Sequence, residues 1–323
     1  MELTNTQLKN FIDRIRLSPD AMPKYRTQIT NLRDKLQAKI DADESTGLKV
    51  TRFIIAGSWK KHTVLRSKGE HPVDVDLVLF VGGDESLQAD VNKLHDFVVQ
   101  YLREIYPTKE VGDVEAEGKT KAIRIIFKAS GLEVDIVPVV PLPKPATYVW
   151  QPERGGSGHY ITSVDGQLNH AAAARKRNPL YTSVVRALKY WRNHQELKPE
   201  LTSFAIELMV DYLDATYGVK ASTEESIIRF FGFVSSRLFP TISFPNAINQ
   251  VRTPPYGHPV WIADPTNNEN NAGNKVTTSS WAEVKGKALE AFEALNYAQA
   301  KADTGGTVAE WKEVFGPSFS IDA

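Results

Sequence analysis

Three aspartates in two strand-like segments are the residues of this chain whose types and spacing could do chemistry. Asp74 and Asp76 alternate with valine and leucine within residues 73–80, and Asp135 lies in the similar segment 132–140. Because side chains at i and i+2 of a strand share a face, we expect Asp74 and Asp76 side by side, with apolar neighbours on the opposite face. Adjacent carboxylates on a half-buried strand are costly to ionise unless a positive charge lies between them. The three carboxylates therefore predict a divalent-metal site suited to in-line transfer between phosphate oxygens.

A possible phosphate-binding turn precedes the aspartates. Residues 52–56 are typical of a short strand, and Gly57 and Ser58 follow at once, ahead of Lys60 and Lys61. A small residue pair at a strand end lets backbone N–H groups approach a phosphate, and the serine hydroxyl adds a donor. Lys61 could neutralise nucleotide charge or could be a solvated turn residue, and the sequence leaves both interpretations open.

Hydrophobic periodicity predicts the elements that position these residues. A capping box of Thr4 and Gln7 predicts a helix from about residue 5, and a longer helix is expected to run to about Asp43. Strands are expected over about 50–82 and 121–140. Further helices are predicted at about 85–106, 180–193, 203–217, 222–239 and 281–295. A capping box of Ser222 and Glu225 marks the start of the helix at 222–239.

This pattern predicts an α+β fold with two lobes. Residues 1–165 would form a catalytic lobe with a mixed sheet and a long N-terminal helix, and residues 166–323 would form a helical lobe. An Asn-rich segment, 264–271, either connects helices or shapes a base pocket. We also expect His95 and Asp96 at the surface, since neighbours on a helix point in different directions.

Composition narrows the classes of function. The 323 residues include 39 Lys plus Arg, 39 Asp plus Glu and no cysteine. Without cysteine there is no disulfide, no thiolate zinc site and no cysteine nucleophile. The balanced charge gives no sign of activation by nucleic acid. No apolar run reaches membrane-spanning length and the first residues do not resemble a signal peptide, so we expect a cytoplasmic monomer without a membrane partner.

The order of the motifs resembles a known superfamily. Gly-Ser, then Asp-x-Asp, then a third strand aspartate resembles the signature of the polymerase-β-like nucleotidyltransferases. Residues 57–66 with 74–80 resemble the oligoadenylate synthetase pattern, and residues 186–191, 203–209 and 259–271 resemble its later helices and its Asp-Pro segment. The resemblance covers about 50–295 and is to the bacterial oligoadenylate-synthetase-like enzymes, the CD-NTases, which make cyclic oligonucleotides in anti-phage (CBASS) signalling.

This resemblance implies a polymerase-β-like fold and a metal-dependent reaction. Asp74, Asp76 and Asp135 would hold two Mg²⁺ ions, for which Mn²⁺ could substitute. Asp135 would bind the ion nearer the attacking hydroxyl and assist its deprotonation. One departure is the longer spacing between Ser58 and Asp74, where residues 66–72 would form either a surface loop or a contact to the acceptor nucleotide.

The resemblance also implies the nucleotide-binding residues. Gly57 and Ser58 would bind the β- and γ-phosphates of the donor. Lys189 would either contact the triphosphate or extend outward to solvent from its apolar helix. Ser203 would face the same phosphates, cap its helix, or do both.

The expected substrate is ATP, with or without another NTP, joined into a cyclic di- or trinucleotide second messenger with release of pyrophosphate. The resemblance further implies a HORMA-like activator protein as a possible partner. Three alternatives remain: a linear oligoadenylate product, transfer to an RNA, protein or small-molecule acceptor, and an inactive nucleotide-binding scaffold.

Overall fold

The computed structural model describes residues 1–66, 72–82, 91–113, 121–153, 158–198, 200–237, 240–250 and 259–322. They form two compact units, one of residues 17–168 and one of residues 1–16 together with 169–323. The sequence predicts a division after residue 165 with the whole N-terminal part in the first lobe. Residues 1–16 instead pack with the second unit. Most of the predicted insertion after Arg66 lies outside the described residues.

The unit of residues 17–168 is built on a seven-stranded mixed sheet. Five strands follow the order β1-β2-β5-β4-β3, and β6 pairs with β5 and with β7. β2 and β5 are parallel, whereas the other pairings are antiparallel. The strands are β1 Lys49–Ile55, β2 Val73–Gly82, β3 Glu110–Asp113, β4 Ile123–Phe127, β5 Leu132–Pro141, β6 Val149–Glu153 and β7 Gly158–Thr162.

Two helices cover one face of this sheet. The sequence places Ile29, Leu32, Leu36 and Ile40 on one stripe of α2 (Met22–Asp41), and all four are buried. They pack in one apolar core with α4 (Val91–Ile105) and with alternate residues of β2, β5 and β4. His95 on α4 is fully buried, so the prediction that it lies at the surface is wrong. A buried histidine side chain needs a polar partner from a neighbouring element. Helical spacing alone does not reveal which elements pack around it, so its burial could not be predicted.

The opposite face of the sheet is apolar at one end of β2 and β5 and acidic at the other. Its apolar end, with Val78, Phe80 and Val139, packs against Val149 and Val164. Its other end carries the aspartates described below. The short helix α3 (Gly57–Lys60) follows β1. The helix α5 (Val164–Arg177) contains the boundary between the units.

The second unit is mainly helical. The capping boxes predicted at Thr4 with Gln7 and at Ser222 with Glu225 are both present. The sequence did not predict its last helix, because Gly305 and Gly306 stand in its first turn, where Asp303 caps it. The helices are α1 Asn5–Ile15, α6 Tyr181–His194, α7 Ser203–Tyr217, α8 Thr223–Ser236, α9 Thr278–Ala300 and α10 Thr304–Phe315.

The Asn-rich segment belongs to a small sheet rather than to a loop. The strands of this sheet are β8 (Thr241–Ile242), β9 (Trp261–Asp264) and β10 (Asn267–Asn271), and the segment contains β10 and the end of β9. The Asn268 amide accepts from the Phe244 N–H and donates to the Phe244 carbonyl, both at 3.0 Å. The Asn268 side chain thus forms the two hydrogen bonds with the Phe244 backbone that a neighbouring strand would otherwise supply.

No described helix combines the length and the apolar character that a membrane crossing would require.

Candidate active site

Four carboxylates lie on one face of the sheet, on the parallel strands β2 and β5. Val73 and Val75 are fully buried on the opposite face, so Asp74 and Asp76 project together, as the strand period predicts. The register sets Asp76 opposite Asp135 and Asp74 opposite Glu133. We call Asp74, Asp76, Glu133 and Asp135 the carboxylate cluster. The three aspartates were predicted from the sequence, whereas Glu133 was not.

Arg124 on β4 joins this cluster from the neighbouring strand. The antiparallel register sets Arg124 directly opposite Asp135. Its Nε donates to Asp135 Oδ1 at 2.7 Å and its Nη2 to Asp135 Oδ2 at 2.8 Å. Its Nη1 lies 2.8 Å from Glu133 Oε2, and its Nη2 lies 3.8 Å from Asp74 Oδ1. One guanidinium thus contacts three of the four carboxylates.

The surroundings of Asp74 in the cluster shift its pKa. Its pKa is raised well above the usual value by desolvation, then by the neighbouring Asp135 and Asp76 carboxylates, and Arg124 opposes this. The same side chain keeps 52% of its surface exposed, so solvent screens part of this effect. The cluster therefore carries more negative charge than Arg124 balances.

Carboxylate oxygens are the donors that Mg²⁺ prefers, so the chemistry of the cluster fits a divalent cation. Within the described ranges, no three His, Cys, Asp or Glu side chains are already arranged to hold a metal ion.

Gly57 lies against the side chain of Asp76. Its φ is +53°, and an ideal Cβ built on it would fall 1.6 Å from Asp76 Oδ2 and 2.5 Å from Asp76 Cγ. The Ala56 N–H donates to the Asp76 carbonyl at 2.8 Å, which keeps this turn against β2. Only glycine combines this backbone conformation with room for the carboxylate.

Ser58 and Lys61 occupy the turn that follows Gly57. Ser58 is half-buried on α3, and its carbonyl accepts from the Thr63 N–H at 2.9 Å. Lys61, at the end of α3, is 7% exposed and Lys60 is exposed. A solvated position is therefore wrong for Lys61.

In the helical unit, Lys189 and Ser203 occupy defined positions. Lys189 on α6 is 4% exposed, so it does not extend outward to solvent. Thr202, not Ser203, caps α7, because its side chain accepts from the Ala205 N–H at 3.0 Å. Ser203 is the first residue of that helix, and its hydroxyl is engaged by Arg192.

Arg192 is a second arginine that sequence reasoning missed. Its Nη1 donates to Ser203 Oγ and to the Leu201 carbonyl, both at 3.1 Å. Desolvation lowers its pKa to about 10, and Glu207 acts in the opposite direction. Arg192 therefore fixes the start of α7. The signal in the sequence was an arginine three residues after Lys189, a spacing that places the two side chains on one face of a helix.

This chain is similar in sequence to known proteins over most of its length. The family model of the Second Messenger Oligonucleotide or Dinucleotide Synthetase domain matches residues 1–166. The CBASS oligonucleotide cyclase CdnC of Escherichia coli strain KTE188 is 32% identical over 325 residues, covering 100% of this chain and 99% of that protein. A cyclic AMP-AMP-AMP synthase of E. coli strain MS 115-1 is 30% identical over 322 residues, covering 95% and 94%.

Solved structures of E. coli MS115-1 CdnC have the same fold. The structure with ATP superposes with a TM-score of 0.79 at 28% identity, covering 98% of this chain and 99% of the other. The complex with HORMA-deltaN gives a TM-score of 0.79 at 27% identity, covering 98% of both chains.

Proposed function

We propose a reaction for this chain, which belongs to the Second Messenger Oligonucleotide or Dinucleotide Synthetase family and is a bacterial CD-NTase. It is a nucleotidyltransferase with a polymerase-β-like fold, and it makes a cyclic oligonucleotide for anti-phage defence.

The observation that carries the proposal is the carboxylate cluster on the paired strands β2 and β5. Asp74, Asp76 and Asp135 would hold two Mg²⁺ ions, with Mn²⁺ as a substitute, since their oxygens match the donors that these ions prefer. When bound, the ions would neutralise phosphate charge and activate the attacking oxygen. The like-charge effect on the pKa of Asp74 supports this assignment, because a cation near the cluster would relieve it.

The chain's own residues would then position the donor nucleotide. The Gly57 backbone and the Ser58 hydroxyl would donate to the donor phosphates, and Lys61, Lys189 and Ser203 would supply further positive charge or donors. Lys61 and Lys189 are both buried, so their side chains are held in place rather than moving freely in solvent, which supports these positioning roles.

We propose ATP as both donor and acceptor. A ribose hydroxyl oxygen forms a bond to the α-phosphorus of the donor. The bond from this phosphorus to the oxygen that bridges the α- and β-phosphates breaks, and pyrophosphate leaves. The hydroxyl proton passes to Asp135. Repeated transfer and ring closure give a cyclic adenylate, which is supported by the cyclic AMP-AMP-AMP synthase that is 30% identical.

A HORMA-like protein is the proposed activator. The support is the fold shared with E. coli MS115-1 CdnC, which has been solved together with HORMA-deltaN. We propose that the chain acts as a monomer when it is not bound to this partner.

The test is incubation of the purified protein with each NTP and Mg²⁺ or Mn²⁺, followed by phosphatase treatment and mass spectrometry. A phosphatase-resistant cyclic trinucleotide from ATP alone is the expected product. Linear oligomers would instead support an oligoadenylate synthetase, and a product attached to added RNA would support terminal transfer. The assay is repeated with a HORMA-like protein if the isolated chain is silent.

Matched variants connect the product to the cluster. Asp74→Asn combined with Asp76→Asn is expected to abolish pyrophosphate release, whereas Asp34→Asn is expected to leave it unchanged. Asp34 is an exposed aspartate that pairs with its neighbour Arg33. Product formation by the double variant would refute the proposed mechanism.

A further inference from the structure

Arg124 holds the carboxylate of Asp135 more firmly than any single charge contact would. Its Nε and Nη2 donate to the two Asp135 oxygens at 2.7 and 2.8 Å, so the two planar groups face each other as a fork. Such bidentate pairs fix geometry as well as charge. The Asp135 side chain is 9% exposed, so water cannot easily replace this partner.

The guanidinium is itself anchored on its other side. Its Nη1 lies 2.8 Å from Glu133 Oε2, two residues before Asp135 on the same strand and face. Arg124 would therefore have to break contacts with two carboxylates to leave the cluster. By contrast, its 3.8 Å approach to Asp74 is too long for a hydrogen bond.

The fork does not use up the ligand capacity of Asp135. An ionised carboxylate offers about four lone-pair sites, and the two bonds from Arg124 occupy two of them. A carboxylate fixed in this way keeps acceptor positions for a second, stronger partner. Residues that hydrogen-bond to a ligating carboxylate orient it in this manner.

Resting on the proposed function, we propose that Arg124 is a positioning residue, whose fork fixes the Asp135 carboxylate so that one of its remaining lone pairs binds a divalent cation. Arg124 does not touch the reacting atoms in this role. The geometry favours orientation over competition with the cation, because Arg124 enters from β4, on the side of β5 away from β2, and Glu133 anchors it there.

The test measures Mn²⁺ binding without nucleotide, by titration calorimetry or by the paramagnetic resonance signal of free Mn²⁺. Arg124→Lys keeps the charge and loses the fork, and Arg124→Gln loses both. We expect each variant to bind Mn²⁺ about 10- to 100-fold more weakly than the wild type. Arg52→Gln is the matched control: Arg52 lies on β1 of the same sheet and pairs with Asp165 at 2.6 Å, so this variant should bind Mn²⁺ normally.

Two outcomes would overturn the role of Arg124 while leaving the proposed function intact. Wild-type Mn²⁺ affinity in Arg124→Lys would show that charge suffices without the fork. Tighter binding in both variants would show that Arg124 competes with the cation. If Arg124→Gln is too unstable to titrate, Arg124→Lys decides the question alone.

A different result would refute the proposed function. Unchanged Mn²⁺ binding by the variant that combines Asp74→Asn with Asp76→Asn would refute the metal site itself, and the role of Arg124 with it.

Discussion

Replacing Gly57 by alanine tests the contact on which the position of Asp76 depends. The added Cβ would fall 1.6 Å from Asp76 Oδ2, whereas real Cβ atoms essentially never approach a heavy atom closer than 3.0 Å. The carboxylate oxygen must therefore retreat by about 1.4 Å, and a misplacement of about 1 Å in a catalytic group can cost about 10²-fold in rate. We expect Gly57→Ala to lower the turnover number at least about 100-fold.

The same substitution also strains the backbone. At a φ of +53° an alanine costs about 1–2 kcal/mol relative to glycine. Thermal unfolding should therefore show a lower Tm, yet a folded protein. The rate assay is the initial rate of pyrophosphate release, with the activating partner present if the chain alone is silent.

Two controls separate these effects. Gly112→Ala adds the same methyl group to β3 of the same sheet, where the new Cβ meets nothing within 4 Å, and it should be close to wild type. In an Asp76→Ala background the closest remaining atom of residue 76 is its Cβ, at 3.1 Å, so Gly57→Ala should then cost only the backbone strain. Wild-type turnover in Gly57→Ala, or fully additive losses of stability in the double variant, would refute the reasoning.

Three further outcomes are expected. Asn268→Ala leaves the Phe244 N–H and carbonyl without their partner and should lower the free energy of unfolding by about 2–6 kcal/mol in urea titrations, at about 1–3 kcal/mol for each of the two groups. The control Asn274→Ala changes an exposed side chain and should alter this free energy by less than about 0.5 kcal/mol. Burial raises the pKa of Glu224 above 4.5 in the folded protein, so its contribution to stability is present at low pH and is lost as the pH rises through the folded-state pKa. Between pH 4 and 8 the Tm of the wild type should therefore fall relative to that of Glu224→Gln, and parallel curves would contradict this. Finally, Mg²⁺ at about 100 times its Kd should stabilise the wild type by about 2.7 kcal/mol, while Asp74→Asn should lose most of the shift and chelation should reverse it.

Local periodicity was enough to predict much of the candidate site. The strand period of two sets Asp74 and Asp76 on one face, since valine and leucine occupy the other. The capping box at Ser222 likewise predicts the start of a helix from four residues. These features depend only on neighbours along the chain.

What could not be predicted depends on pairing between distant segments. Arg124 meets Asp135 only because β4 and β5 are antiparallel in one register, and a shift by one residue would turn Arg124 to the opposite face. The burial of Lys189 and His95 likewise depends on which elements pack around them. Thr202, rather than Ser203, caps α7, because both residue types suit the position and the backbone decides between them.

The division of the chain into units also has a consequence for synthesis. The unit of residues 17–168 is continuous, so it can fold once this stretch has left the ribosome. Residues 1–16 pack with partners that come after residue 168, and synthesis of residues 169–323 takes roughly 8–30 s at about 5–20 residues per second. During this interval Leu8, Phe11 and Ile12, which are buried in the finished protein, have no core to enter. Residues 1–16 are therefore synthesised before the continuous unit and yet reach their final place after it can fold, with three apolar side chains exposed in the meantime.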